Sequence, residues 1–109
     1  MAKLTTLENK VVWITGASSG LGKALARECA LQGAQVILTA RRYDELENVR
    51  ISLFKPERHL SIAADITDEV QIRHAYVQVL EEKGKIDWLI NNAGLSQRAL
   101  IKDPTMQTE

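Results

Sequence analysis

The sequence predicts an α/β domain in which a parallel sheet is covered by helices on both faces. Three observations carry that expectation. Short apolar runs alternate with stretches of helical periodicity all the way from Lys10 to Ile90. The first, second and fourth runs are nearly unbroken in hydrophobicity, which suits strands buried on both faces rather than half-exposed ones. Strands and helices alternating in this way close into a parallel sheet through right-handed crossovers.

Taken in order, the first run is Lys10 to Thr15, with β-branched Val11, Val12 and Ile14 and with Trp13 expected in the core. Leu21, Ala24, Leu25 and Ala30 mark a first helix, and Gly33 supplies its C-terminal stop. The second run, Gln35 to Ala40, leads to a helix whose apolar positions are Leu46, Val49, Leu53 and Phe54, with Pro56 as a breaker. The third run, His59 to Ala64, alternates through Leu60, Ile62 and Ala64. Thr67 or Asp68 can cap a third helix with the face Val70, Ala75, Tyr76, Val79 and Leu80, ended by Gly84. The fourth run, Ile86 to Ile90, holds Trp88, read like Trp13 as core packing. His59 and His74 read as surface or boundary residues, and Asp44, Glu45, Glu47, Glu81 and Glu82 as solvated helix faces.

The 109 residues leave room for one domain, with residues 1–8 as a leader and residues 9–109 as part of a single domain. Lys plus Arg equals Asp plus Glu, 14 against 14, so no global field draws the chain to nucleic acid or an anionic membrane. Any anion must be captured by local geometry. The single cysteine, Cys29, has no internal disulfide partner and reads as a buried thiol in a reducing, cytoplasmic setting. No stretch approaches the ~18 apolar residues of a membrane span. Beyond Gly94 the pattern turns irregular, and residues 104–109 read as the start of a further helix, so a continuing chain is expected.

The first strand runs straight into Thr15-Gly16-Ala17-Ser18-Ser19-Gly20-Leu21-Gly22. This order of strand, glycine-rich turn and helix makes a phosphate cradle. Gly16 permits a tight turn, Gly20 leaves space for a pyrophosphate, and Gly22 lets the helix pack closely. The helix N-terminus then presents free N–H groups and its dipole to the anion, and Ser18 and Ser19 add hydroxyls. The spacing G-x-x-x-G-x-G differs from the common G-x-G-x-x-G fingerprint. Gly22-Lys23 does not make a P-loop either, because five residues separate it from Gly16 and Ala24 follows. A glycine-rich turn without a ligand is the plain alternative.

At the end of the second strand, a carboxylate would bond the 2′-hydroxyl of NAD. This chain has Ala40, Arg41 and Arg42 instead. A guanidinium suits a 2′-phosphate, so NADP is favoured and NAD less so. Solvated arginines at a strand end are the alternative, more so for Arg42 than for Arg41.

With Asp65 after the third strand and Asn91-Asn92-Ala93-Gly94 after the fourth, the chain resembles the compact members of the short-chain dehydrogenase/reductase family from about Leu7 to Glu109. The resemblance implies a Rossmann-like parallel sheet in strand order 3-2-1-4, flanked by helices and truncated after the fourth strand. It places Gly16, Ser18, Gly20 and Leu21 at the pyrophosphate and Arg41 at the 2′-phosphate. Asp65 would accept from the adenine amino group, and the Ile66 N–H would meet the ring. Asn92, Ala93 and Gly94 would lie beside the adenine ribose, with Asn92 partly structural. Taken alone, Asp65 also reads as a cap for the following helix.

The same resemblance implies chemistry by a serine and a Tyr-x-x-x-Lys pair. Tyr43 is followed four residues later by Glu47 and Tyr76 by Leu80, so these residues carry no such pair. Three readings follow: the cofactor-binding portion of an NADP-dependent oxidoreductase of carbonyls and alcohols, a non-catalytic NADP-binding module, or an inactive remnant. NADP preference favours reduction. An uncovered fourth strand would favour self-association or pairing with a C-terminal half.

Overall fold

The computed structural model describes residues 7–92. Four strands and three helices alternate: β1 (Val11–Thr15), α1 (Gly20–Leu31), β2 (Gln35–Ala40), α2 (Tyr43–Ser52), β3 (Leu60–Ala63), α3 (Glu69–Lys83) and β4 (Trp88–Asn91). A short 3-10 turn at Pro56–Arg58 precedes β3. All strand pairs are parallel, in the order β3-β2-β1-β4. Trp13 of β1 is flanked by Ile37 of β2 and Leu89 of β4.

The continuous apolarity of β1 and β2 has its cause in two cores, one on each face. Val12, Ile14, Val36 and Leu38 pack under α1 and α2 with Ala26, Cys29, Ala30, Leu46 and Val49. Val11, Trp13 and Ile37 face the other way, onto Ile62 and the Ala75–Val79 side of α3. Each fully buried Ile, Leu or Val contributes about 1.5–3 kcal/mol through removal of apolar surface from water. The sidedness follows from a single crossover hand. Steps from β1 to β2 and on to β3 run one way across the sheet, while the step back to β4 runs the other, so α3 lands on the opposite face.

The strand beginnings are sealed by side chains. The ring of His59, the residue before β3, lies against β2, and its Nδ1 accepts the Val36 N–H at 3.0 Å. Its Nε2 donates to the Phe54 carbonyl at 2.7 Å. Asp87, just before β4, accepts the Val11 N–H through Oδ2 at 2.8 Å. Leu7 reaches the same edge, donating its N–H to the Gln32 carbonyl at 3.2 Å. On the α3 face, Trp13 donates its indole N–H to Thr39 Oγ1 at 2.8 Å.

Several side chains depart from the sequence expectation. His59, expected at the surface or its boundary, is buried. Trp88 is 52% exposed, because among the described residues β4 is the outer strand. Helix α2 ends at Ser52, so Phe54 lies beyond it and is exposed. Of the expected α3 face, Ala75 and Val79 are buried, whereas Val70, Tyr76 and Leu80 are exposed. Glu47 is not a solvated charge but grips Arg50 through both carboxylate oxygens, at 2.8 and 2.9 Å. Arg50 also donates to the Pro56 carbonyl, closing the connection to β3. That grip holds the Glu47 carboxyl down at about 2.

Candidate functional site

The turn from Gly16 to Ser19 leaves β1 at the carboxyl edge of the sheet and is fastened from both sides. The Ala17 N–H donates to the Thr39 carbonyl of β2 at 3.2 Å. On the β4 side, Asn92 Nδ2 donates to the Gly16 carbonyl at 3.0 Å. Thr15 Oγ1 bonds Asn91 Oδ1 at 2.9 Å, tying the ends of β1 and β4 together. Asn92 thus fastens the turn to the end of β4. Ala93 and Gly94 lie outside the described residues.

Two glycines of the turn divide the work. Gly16 and Gly20 have φ of +66° and +57°, the left-handed region that L side chains rarely adopt. A Cβ on Gly20 would meet nothing within 4 Å, so the backbone there borders open space. A Cβ on Gly22 would collide with the Gly16 carbonyl and lie 2.8 Å from Asn92 Nδ2. Gly22 thus lets α1 close on the turn itself, where the sequence reading placed it against the sheet.

Helix α1 is left electrostatically open. Its N-cap Ser19 makes no side-chain capping bond, and its first turn holds no acidic residue. The N–H groups of Gly20, Leu21 and Gly22 donate to nothing among the described residues. The other two helices differ. Asp68 caps α3 by accepting from Val70 and Gln71, and α2 carries Asp44 and Glu45 in its first turn. Ser18 lies half-buried beside the α1 terminus, with Ser19 and Leu21 exposed. The positive end of α1, lined by these residues, can receive an anion.

The arginines after β2 separate clearly. Arg42 lies within 3.6 Å of Asp44 and 3.5 Å of Glu45. Arg41 is exposed and makes no ion pair or hydrogen bond among the described residues, and its charge is felt at Asp65.

Asp65 follows β3 on the same edge. It does not cap α3; Asp68 does. Asp65 Oδ1 instead accepts from Thr67 twice, from the backbone N–H at 2.9 Å and from Oγ1 at 2.7 Å. Those Thr67 bonds pull its carboxyl below the usual carboxylate range, against a small opposing effect of burial, and Arg41 lowers it further. Neither Asp65 Oδ2 nor the Ile66 N–H is engaged by the described residues. An acceptor and a donor thus stand free on consecutive residues. No cluster suited to a metal ion occurs among the described residues, and no helix there is long and apolar enough to cross a membrane.

A glycine-rich turn, an open helix terminus and a carboxylate after the third strand meet at the carboxyl edge of a parallel sheet. That arrangement defines a Rossmann-like nucleotide-binding fold. The sequence matches the short chain dehydrogenase family over residues 10–108, and the chain belongs to that family. It is 41% identical over 105 residues to the human protein named dehydrogenase/reductase SDR family member 7, covering 92% of this chain and 31% of that one. The fold is similar to that of L-sorbose reductase from Gluconobacter frateurii in complex with NADPH and L-sorbose, with a TM-score of 0.76 and 37% identity over 81% of this chain and 34% of that one. It is also similar to 3-ketoacyl-(acyl-carrier-protein) reductase from Brucella melitensis in complex with NADH, with a TM-score of 0.72 and 37% identity over 77% of this chain and 34% of that one. The chain spans about a third of the length of the curated relatives it matches.

Proposed function

We propose that this edge holds NADP(H), and that the chain is the cofactor-binding portion of a short-chain oxidoreductase of carbonyls and alcohols. When bound, the cofactor gives or takes the hydride exchanged with the substrate carbon. The chain's own residues hold and select it. The N–H groups at the start of α1, with Gly16, Ser18, Ser19, Gly20 and Leu21 around them, meet the pyrophosphate. Asp65 Oδ2 and the Ile66 N–H meet the adenine edge. Asn92, just after β4, flanks the adenine ribose.

The observation that carries the NADP reading is the division between the two arginines. Arg42 is occupied by two carboxylates, whereas Arg41 is uncommitted beside Asp65. One similar structure contains NADPH and another NADH, so the fold alone does not select between them. The selection rests on the side chain at the end of β2. A hydrogen bond to a charged group contributes about 1.5–3 kcal/mol. Arg41→Ala should therefore weaken NADPH roughly tenfold to a hundredfold and leave NADH nearly unchanged, as measured by calorimetric titration of the 109-residue chain. Equal losses for both cofactors would remove Arg41 from the phosphate. Failure of the unaltered chain to saturate with either would remove the binding site.

A further inference from the structure

The stretch after β3 contains more hydrogen bonding than a turn of that length requires. Thr67 grips Asp65 Oδ1 with two donors. Gln71, in the first turns of α3, accepts the Asp65 backbone N–H through Oε1 at 2.9 Å and donates through Nε2 to Asp68 Oδ2 at 3.1 Å. The Asp68 N–H closes the ring onto the Asp65 carbonyl at 2.9 Å. Asp65 is thus held at its amide, its carbonyl and one carboxylate oxygen, with Oδ2 left over. All these groups lie near solvent, where water could satisfy each of them, so the network adds orientation rather than relief of buried polarity.

We infer that Thr67 and Gln71 are positioning residues that aim the free oxygen of Asp65 at the exocyclic amino group of the bound base. This rests on the reading that Asp65 meets the adenine. Thr67 fixes the rotation of the carboxylate by occupying Oδ1. Gln71 fixes the backbone from which it projects, tying it to the N-terminal turn of α3. Neither residue touches the cofactor.

The test pairs each residue with the amino group itself. NADPH and its hypoxanthine analogue, which has a carbonyl in place of that amino group, are titrated against the 109-residue chain and its variants. The unaltered chain should prefer NADPH. Thr67→Val and Gln71→Met should each weaken NADPH about threefold to tenfold while leaving the analogue unchanged, and Thr67→Ser should restore the preference. The acid limb of NADPH binding should also move to higher pH in Thr67→Val, because the carboxylate loses its main stabilising donor. Circular dichroism melts would confirm that these surface variants fold. Equal weakening of both nucleotides, or an unchanged preference, would overturn the positioning role and leave the Asp65 assignment standing. An unaltered chain that binds both nucleotides equally well would overturn that assignment and the positioning role together.

Discussion

At the scale of single residues, Gly20 and Gly22 perform different physical tasks. Gly20 needs its backbone conformation and the space before it, so Gly20→Ala should cost about 1–2 kcal/mol in left-handed strain. The methyl group would also crowd a ligand, and cofactor affinity should fall by more than stability does. Gly22→Ala drives a methyl into the Gly16 carbonyl and the Asn92 amide, and should destabilise by about 1–3 kcal/mol. Chemical denaturation and NADPH titration of the same two variants separate these losses; a Gly22→Ala protein of unchanged stability would contradict the packing. The glycines were legible in the sequence because their spacing follows from strand-turn-helix geometry. The partner of Gly22 was not, since it depends on Asn92 arriving from 70 residues further along. Arg41 and Arg42 were likewise adjacent and chemically identical until Asp44 and Glu45 distinguished them.

At the scale of elements, the runs that became β1 and β2 were readable because central strands of a parallel sheet must be apolar throughout. The same pattern misread the margins. Trp88 looks like Trp13 in sequence, but among the described residues Trp13 lies between two strands and Trp88 on the outer one. His59 was misread because its burial answers a need elsewhere: β3 starts opposite Ile37, so the N–H of Val36 lacks a backbone partner and takes the imidazole instead. Nδ1 must accept and Nε2 must donate, so the ring is neutral. Burial lowers its pKa first of all; the bond to the Phe54 carbonyl raises it, and the cations Arg58, Lys83 and Arg50 lower it. A base protonated more readily in the unfolded chain than in the folded one withdraws stability as pH falls. The melting temperature should therefore decline below the ordinary histidine value of 6.5, and His59→Gln should flatten that part of the profile. An identical decline in the variant would assign it to other groups. Glu47 adds a second, lower window: its contribution is lost as pH falls from 4.5 toward about 2.

At the scale of the whole molecule, several large apolar side chains stay exposed among the described residues. Val77 is 46% exposed and Leu80 36%, both on α3, and Trp88 of the outer strand is exposed as well. Exposed apolar side chains, and a strand whose outer edge has no partner among the described residues, favour association. Sedimentation of the 109-residue chain should show an average mass that rises with concentration, reduced by the pair Val77→Lys and Trp88→Lys. A constant monomeric mass across micromolar concentrations would count against it.

The two edges of the sheet are finished differently. The edge where strands begin is closed by the His59 imidazole and the Asp87 carboxylate, which take the amides of Val36 and Val11. At the edge where strands end, the first N–H groups of α1, the Ile66 N–H and Asp65 Oδ2 are left unengaged by the described residues. Attachment chemistry can exploit that polarity. A tether placed on Glu57, in the exposed turn before β3, would anchor the molecule by its sealed side and leave the receptive side facing the medium. A dye on Ser19 would stand at the mouth of that receptive side and report what enters it.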